Sequence, residues 1–193
     1  NVVSRQVIAR VDLDAMTYNM RLLKRRAPDS RLLAVLKSDA YGHGIEQAGR
    51  ALIDADGFGV ASQGEAERLR ASGLDHPIVL FGGFDRPEDV AYLAQMNVRP
   101  VIHHPAQIAM LEGQSSVPNV SLWVKVDSGM NRLGFPPEEL EGALARLKSL
   151  PNVNQDIVLM THFAASDEPS ANTVTEQVSR FNAVTASLGL HTS

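Results

Sequence analysis

The feature that most constrains this chain is a periodic pattern of apolar runs. Short runs occur at residues 32–36, 57–61, 77–81, 98–103, 122–126 and 157–163, with helix-like segments at 45–53, 64–71, 87–96, 105–111, 137–150 and 172–188 between or after them. Strands that alternate with helices at this spacing are βαβ units and build a parallel sheet. The runs are almost unbroken in apolar residues, as strands covered on both faces are. Several helix-like segments begin near a proline followed by acids, as in Arg86-Pro87-Glu88-Asp89 and Pro136-Pro137-Glu138-Glu139. There the proline costs no hydrogen bond and the carboxylates meet the positive end of the helix dipole. Residues 7–11 read as a further short strand. Asp12 or Asp14 then caps a helix that runs to about Arg26 and stops before Pro28. Six units fit either an open doubly wound sheet or most of a parallel (β/α)8 barrel, and the pattern alone does not choose. With no low-complexity linker, residues 1–193 read as one domain.

Composition enters through what it excludes. At 44% hydrophobic residues the chain has apolar material for a sizeable core, and its net charge of −4 gives no electrostatic case for nucleic acid. The one basic run, Arg21-Leu22-Leu23-Lys24-Arg25-Arg26, is interleaved with leucines and reads as the solvated face of an amphipathic helix. There is no cysteine, hence no disulfide framework and no thiolate chemistry. No apolar stretch approaches the ~18 residues that a membrane-spanning helix needs. The chain starts at Asn1, so the question of a removed leader stays open. No Gly-x-Gly-x-x-Gly follows a strand, and Tyr41-Gly42-His43-Gly44 lacks the Gly-Lys-Ser/Thr of a phosphate-binding loop.

In a parallel sheet the C-terminal strand ends share one side, where barrels and doubly wound folds place their chemistry. The first such end is Leu36-Lys37-Ser38-Asp39-Ala40-Tyr41-Gly42-His43-Gly44. Position alone leaves Lys37 as either a reactive amine or a side chain that reaches solvent along an apolar stem. The fifth run continues Val124-Lys125-Val126-Asp127-Ser128-Gly129-Met130-Asn131-Arg132-Leu133-Gly134. Alternation puts Trp123, Lys125 and Asp127 on one face, opposite Leu122, Val124 and Val126. A lysine inside an apolar strand is costly unless paired or neutralised, or else it points outward between helices. Arg132 follows a glycine-containing loop and can fold back over the strand end. The sixth run, Leu159-Met160-Thr161-His162-Phe163-Ala164, leaves His162 as a core histidine or a catalyst, and His103-His104 lacks a second ligand pair at metal spacing.

The first stretch closely resembles the cofactor-lysine motif of alanine racemases, K-A-N-A-Y-G-H-G, with Ser38 and Asp39 in place of Ala-Asn. The second resembles that family's K-x-D-[ST]-G-M-x-R-[LI]-G and the third its [ST]-H-F-A-x-[AS]-D, followed here by Asp167 and Glu168. The three motifs occur in family order and the resemblance covers about 7–193. It implies a parallel (β/α)8 barrel of TIM type, with about six β/α units in this chain. It also implies a cytoplasmic enzyme that interconverts L- and D-alanine with pyridoxal 5'-phosphate. Lys37 would form the Schiff base with the cofactor and act as one of two acid/base groups. Tyr41 would reach the phosphate, Arg132 the phenolic oxygen, and His162 the pyridine ring. Lys125 would be carbamylated and paired with Arg132.

The resemblance further implies a homodimer. The second catalytic group, a tyrosine, would act across the dimer and lie outside this sequence, as would the last barrel strands and a β-rich domain that residues 7–11 would join. Residues 1–193 alone are therefore expected to be inactive and prone to aggregate. No metal and no membrane or nucleic-acid partner is expected. Two other readings compete. One is a non-catalytic pyridoxal-phosphate-binding barrel. The other is a metal-dependent barrel hydrolase with a carbamylated Lys125, His103 and His162 as ligands, for which the usual His-x-His on an early strand is missing.

Overall fold

The computed structural model describes residues 7–114, 116, 119–168 and 172–193. Helix α1 (Leu13–Arg26) comes first, capped by Asp12, whose carboxylate accepts the Ala15 N–H at 3.0 Å. Then follow β1 (Leu33–Val35), a short turn α2 (Lys37–Gly42), α3 (Ile45–Ala51), β2 (Gly57–Val60), α4 (Gln63–Ala71) and β3 (Ile78–Leu80). The chain continues with α5 (Asp89–Gln95), β4 (Val98–Ile102), α6 (Pro105–Glu112) and β5 (Trp123–Lys125). A 3₁₀ turn (Pro137–Glu139) leads into α7 (Leu140–Lys148), then β6 (Val158–Met160), α8 (Thr173–Thr185) and β7 (His191–Thr192).

Among the described residues seven strands form one sheet in the order β1-β2-β3-β4-β5-β6-β7, and every neighbouring pair is parallel. Strand order that follows chain order, with helices between, is the winding of a (β/α)8 barrel, of which these strands form a curled part. The doubly wound alternative would reverse direction at a switch point, and this sheet does not.

Alternation along the strands divides the apolar residues in two. Phe58, Val60, Ile78, Leu80, Ile102, Val124 and Leu159 pack against the helices. Val79, Val101 and Met160 turn to the inner side with Leu33, Phe81 and Trp123. Each of α4 to α7 buries at least one leucine fully: Leu69, Leu93, Leu111 and, in α7, both Leu140 and Leu147. Burial of such a side chain contributes about 1.5–3 kcal/mol, so the helices are anchored and the loops between strand and helix are held from below. On the inner side β2 carries Gly59, and a Cβ there would lie 2.5 Å from the Phe81 ring. The missing side chain is the space that ring fills.

Residues 7–11 are the exception to the predicted elements. They lie outside every strand, with Val7 94% and Ile8 78% exposed, because among the described residues no strand lies alongside to share their backbone hydrogen bonds.

Candidate active site

Among the described residues, the longest run of left-handed non-glycine backbone lies at the C-terminal end of β1. Leu36 still donates to the Gly59 carbonyl at 2.7 Å, as a strand residue would. Ser38, Asp39, Ala40 and Tyr41 then adopt φ of 56°, 55°, 53° and 54°, so α2 is a turn of left-handed helix. For L residues this costs roughly 1–2 kcal/mol each, about 4–8 kcal/mol for the four. Several contacts hold it. Ala40 N–H bonds to the Leu36 carbonyl at 2.8 Å and the Ala40 side chain is buried. Gly42 and Gly44, at φ of 82° and 87°, carry the chain out through conformations that glycine enters freely. Asp39 Oδ1 accepts the Ile45 N–H at 3.0 Å and pairs with Arg68 at 2.8 Å. Glu65 Oε1 accepts from Ser38 N at 2.5 Å and from Asp39 N at 3.4 Å. Lys37 leaves this turn half-buried, its Nζ 6.0 Å from the centre of the exposed Tyr41 ring.

At β5 the predicted alternation holds: Lys125 is on the inner face and only 7% exposed. Burial, the nearby Arg132 and, more weakly, Lys37 lower its pKa, while Asp127 opposes them. The loop after β5 is built around Asp127, whose Oδ1 accepts the N–H groups of Gly129 and Asn131, both at 3.0 Å. Phe135 then returns to the strand end, its N–H on the Lys125 carbonyl at 2.8 Å and its carbonyl on Asp127 N at 2.9 Å. Gly134 makes this closure possible: at φ of 128°, a Cβ would lie 2.7 Å from Asp127 N. The loop thus sets Arg132 back over the strand it left.

His162 stands exposed at the end of β6, its pKa lowered by partial burial and by Lys125, Arg132 and Lys37. Its backbone is fixed by Gln177 of α8, a buried side chain that accepts from Ala164 N at 2.9 Å and donates to the His162 carbonyl at 3.1 Å and to Ser128 Oγ at 3.4 Å. Ser128 Oγ in turn meets Thr161 Oγ1 at 2.7 Å. His103 also has a lowered pKa: burial is the main cause, a bond to the Val101 carbonyl opposes it, and Lys125 adds to it. Asp167 and Glu168 are exposed on the loop beyond β6. Among the described residues no three His, Cys, Asp or Glu side chains gather as a metal-binding group.

Lys37, Lys125, Arg132 and His162 therefore share one mouth and act on one another electrostatically. Mutually repelling cations around a half-buried amine suit an anionic ligand that a primary amine can capture. Glu65 and Gln177, which hold these groups, went unmarked by sequence reasoning. Glu65 did leave a signal, the Ser62-x-x-Glu65 of a capping box, and the structure forms that box. Gln177 left none.

Residues 11–192 match the model of the alanine racemase N-terminal domain. Alanine racemases of Shewanella loihica and Nitrosospira multiformis are 43% and 42% identical over 180 and 181 residues, 93% of this chain and 50% of theirs. The biosynthetic alanine racemase of Pseudomonas aeruginosa superposes with a TM-score of 0.87 at 36% identity, over 93% of this chain and 50% of that one. A histidine racemase of Leuconostoc mesenteroides superposes at 0.85 with 26% identity, over 100% and 52%. The chain spans about half the length of the curated relatives it matches.

Proposed function

This chain belongs to the alanine racemase family, and on that premise we propose that it is the N-terminal barrel domain of a pyridoxal-phosphate-dependent racemase interconverting L- and D-alanine. Alanine is assigned because the relatives above 40% identity bear that name. The observation that carries the reading is the convergence of Lys37, on its strained turn, with Lys125, Arg132 and His162.

The donor set fits pyridoxal 5'-phosphate, which has an aldehyde, a phenolic oxygen and a phosphate. Lys37 would hold the aldehyde carbon through its amine. Arg132 would donate to the phenolic oxygen and Tyr41, a neutral hydroxyl donor, to the phosphate. His162 would lie against the ring, where partial burial and the neighbouring Lys125, Arg132 and Lys37 disfavour its charged form. When bound, the cofactor supplies an electron sink for the pair left behind when the substrate Cα loses its proton.

The chain's own part is proton movement and positioning. Lys37 would take or return the Cα proton on one face. Inversion requires a second group on the opposite face, which in a homodimer a partner subunit can provide. Lys125 would act as a carbamate: its neutral amine adds to CO2, an N–C bond forms, and the amine proton leaves to solvent. The resulting anion would pair with Arg132 and aim the guanidinium. Chiral chromatography of alanine tests the activity. Interconversion by the cofactor-loaded enzyme, lost in Lys37→Ala, is the expected result. Cofactor binding without interconversion would point to the non-catalytic carrier instead.

A further inference from the structure

Three helices carry the same device at the mouth of the sheet. Glu65 of α4, Gln107 of α6 and Gln177 of α8 each tie the loop before their own helix to the loop after the neighbouring, earlier strand of the sheet. Gln107 accepts from His103 N at 2.9 Å and donates to the Phe84 carbonyl at 3.3 Å. Gln177 joins the His162 and Ala164 backbone to Ser128. Glu65 takes Ala61 N at 2.9 Å and Ser62 N at 3.2 Å on Oε2, and Ser38 and Asp39 N–H on Oε1. The loops after β1 and β2, β3 and β4, and β5 and β6 are thus joined in pairs.

The chemistry of each tie matches what the loops present. Where one loop offers an N–H and the other an acceptor, the residue is an amide, which both donates and accepts. Where both loops offer only N–H groups, the residue is a carboxylate, which has two oxygens and no hydrogen. Capping α4 needs only the contacts to Ser62 and its neighbour. The two bonds across to Ser38 and Asp39 do nothing for that cap and end on the left-handed turn beside Lys37. One helical turn further on, Arg68 adds a third grip, on Asp39.

We propose that Glu65 is a positioning residue for Lys37, holding the left-handed turn so that the lysine amine points into the mouth. The role rests on the reading of Lys37 as the cofactor lysine.

The test compares the wild-type holoenzyme with Glu65→Gln, Glu65→Asp and Ser62→Ala. Gln has one acceptor oxygen and must aim an NH2 at N–H donors. Asp keeps both oxygens but, one methylene shorter, reaches Ala61 and Ser62 and not the turn. Ser62→Ala removes the cap hydroxyl and leaves the clamp. The readouts are hydrogen exchange at the Ser38 and Asp39 amides, the pH at which the visible band of the cofactor–lysine linkage titrates, and kcat against KM. Both Glu65 variants should speed exchange at those two amides by about tenfold or more, since each loses a charge-assisted bond. Their band should titrate at a shifted pH, and kcat should fall about ten- to hundredfold from a misplaced amine. Ser62→Ala should lower Tm without moving exchange or the band. Glu65→Asp answers the question if Glu65→Gln fails to fold. Wild-type exchange and titration in Glu65→Asp would overturn the clamp. A wild-type enzyme whose cofactor sits on a different lysine would overturn the assigned role of Lys37, and the positioning role with it.

Discussion

Lys125 and Phe135 are joined backbone to backbone, the N–H of Phe135 on the carbonyl of Lys125 at 2.8 Å. The residues between them form a closed loop whose two ends are fixed by the same strand. Arg132 is therefore positioned by β5 itself, and Asp127 sets the loop's internal shape through Gly129 and Asn131.

Gly134 is the joint of that loop. Gly134→Ala places a methyl against the Asp127 amide in a conformation alanine avoids. It should destabilise by about 1–3 kcal/mol, measured as a lower urea midpoint with unchanged m. Activity should fall further than stability accounts for, because Arg132 moves. A variant with wild-type midpoint and rate would mean that the loop does not depend on this closure.

Buried Lys125 gives a pH dependence whose sign follows from its lowered pKa. Unmodified, it holds its proton in the unfolded chain and sheds it in the folded one between its folded value and the ordinary lysine value. Stability then rises with pH across that window and is lowest below it, where the buried amine is charged in both states. A carbamate removes the titration. In bicarbonate-equilibrated buffer the native protein should gain the mass of one CO2, and Tm should become flatter over that window than in CO2-free buffer. Lys125→Ala should lose activity that small carboxylates partly restore. A plain amine in crystals grown with ample bicarbonate would contradict the carbamate.

The three motifs stood out in the sequence because they resemble those of a known family and follow its order, whereas position alone left Lys37, Lys125 and His162 open. The alternation of strands and helices followed from periodicity, and alternation put Lys125 on one face with Trp123, but the barrel order of the sheet and the inward side of that face came only with the resemblance and the structure. The handedness of α2 was not legible. Gly42 and Gly44 announce a turn, but nothing local favours φ above 50° at Ser38, Asp39, Ala40 and Tyr41. That conformation is imposed by partners such as Glu65, 27 positions from Ser38. Residues 7–11 show the reverse case: an apolar run reads as a strand, yet a strand forms only where a neighbour lies alongside.

Gln177 is buried and meets three partners on two loops. Gln177→Leu keeps the volume and leaves the Ala164 amide and the His162 carbonyl without it. The expected loss is about 1–3 kcal/mol in chemical denaturation. The His162 ring resonances should also shift, since its backbone is no longer held. Unchanged stability and unchanged His162 resonances would mean that solvent replaces the clamp at no cost.

On the function proposed above, Lys37 is the residue to which the cofactor is joined. Borohydride reduction of the cofactor-loaded enzyme, followed by digestion and peptide mapping, locates that bond directly. A single pyridoxyl label on the peptide containing Lys37, with loss of the visible band on reduction and no label in Lys37→Ala, is the expected result. A label on Lys125, or on no lysine at all, would contradict it.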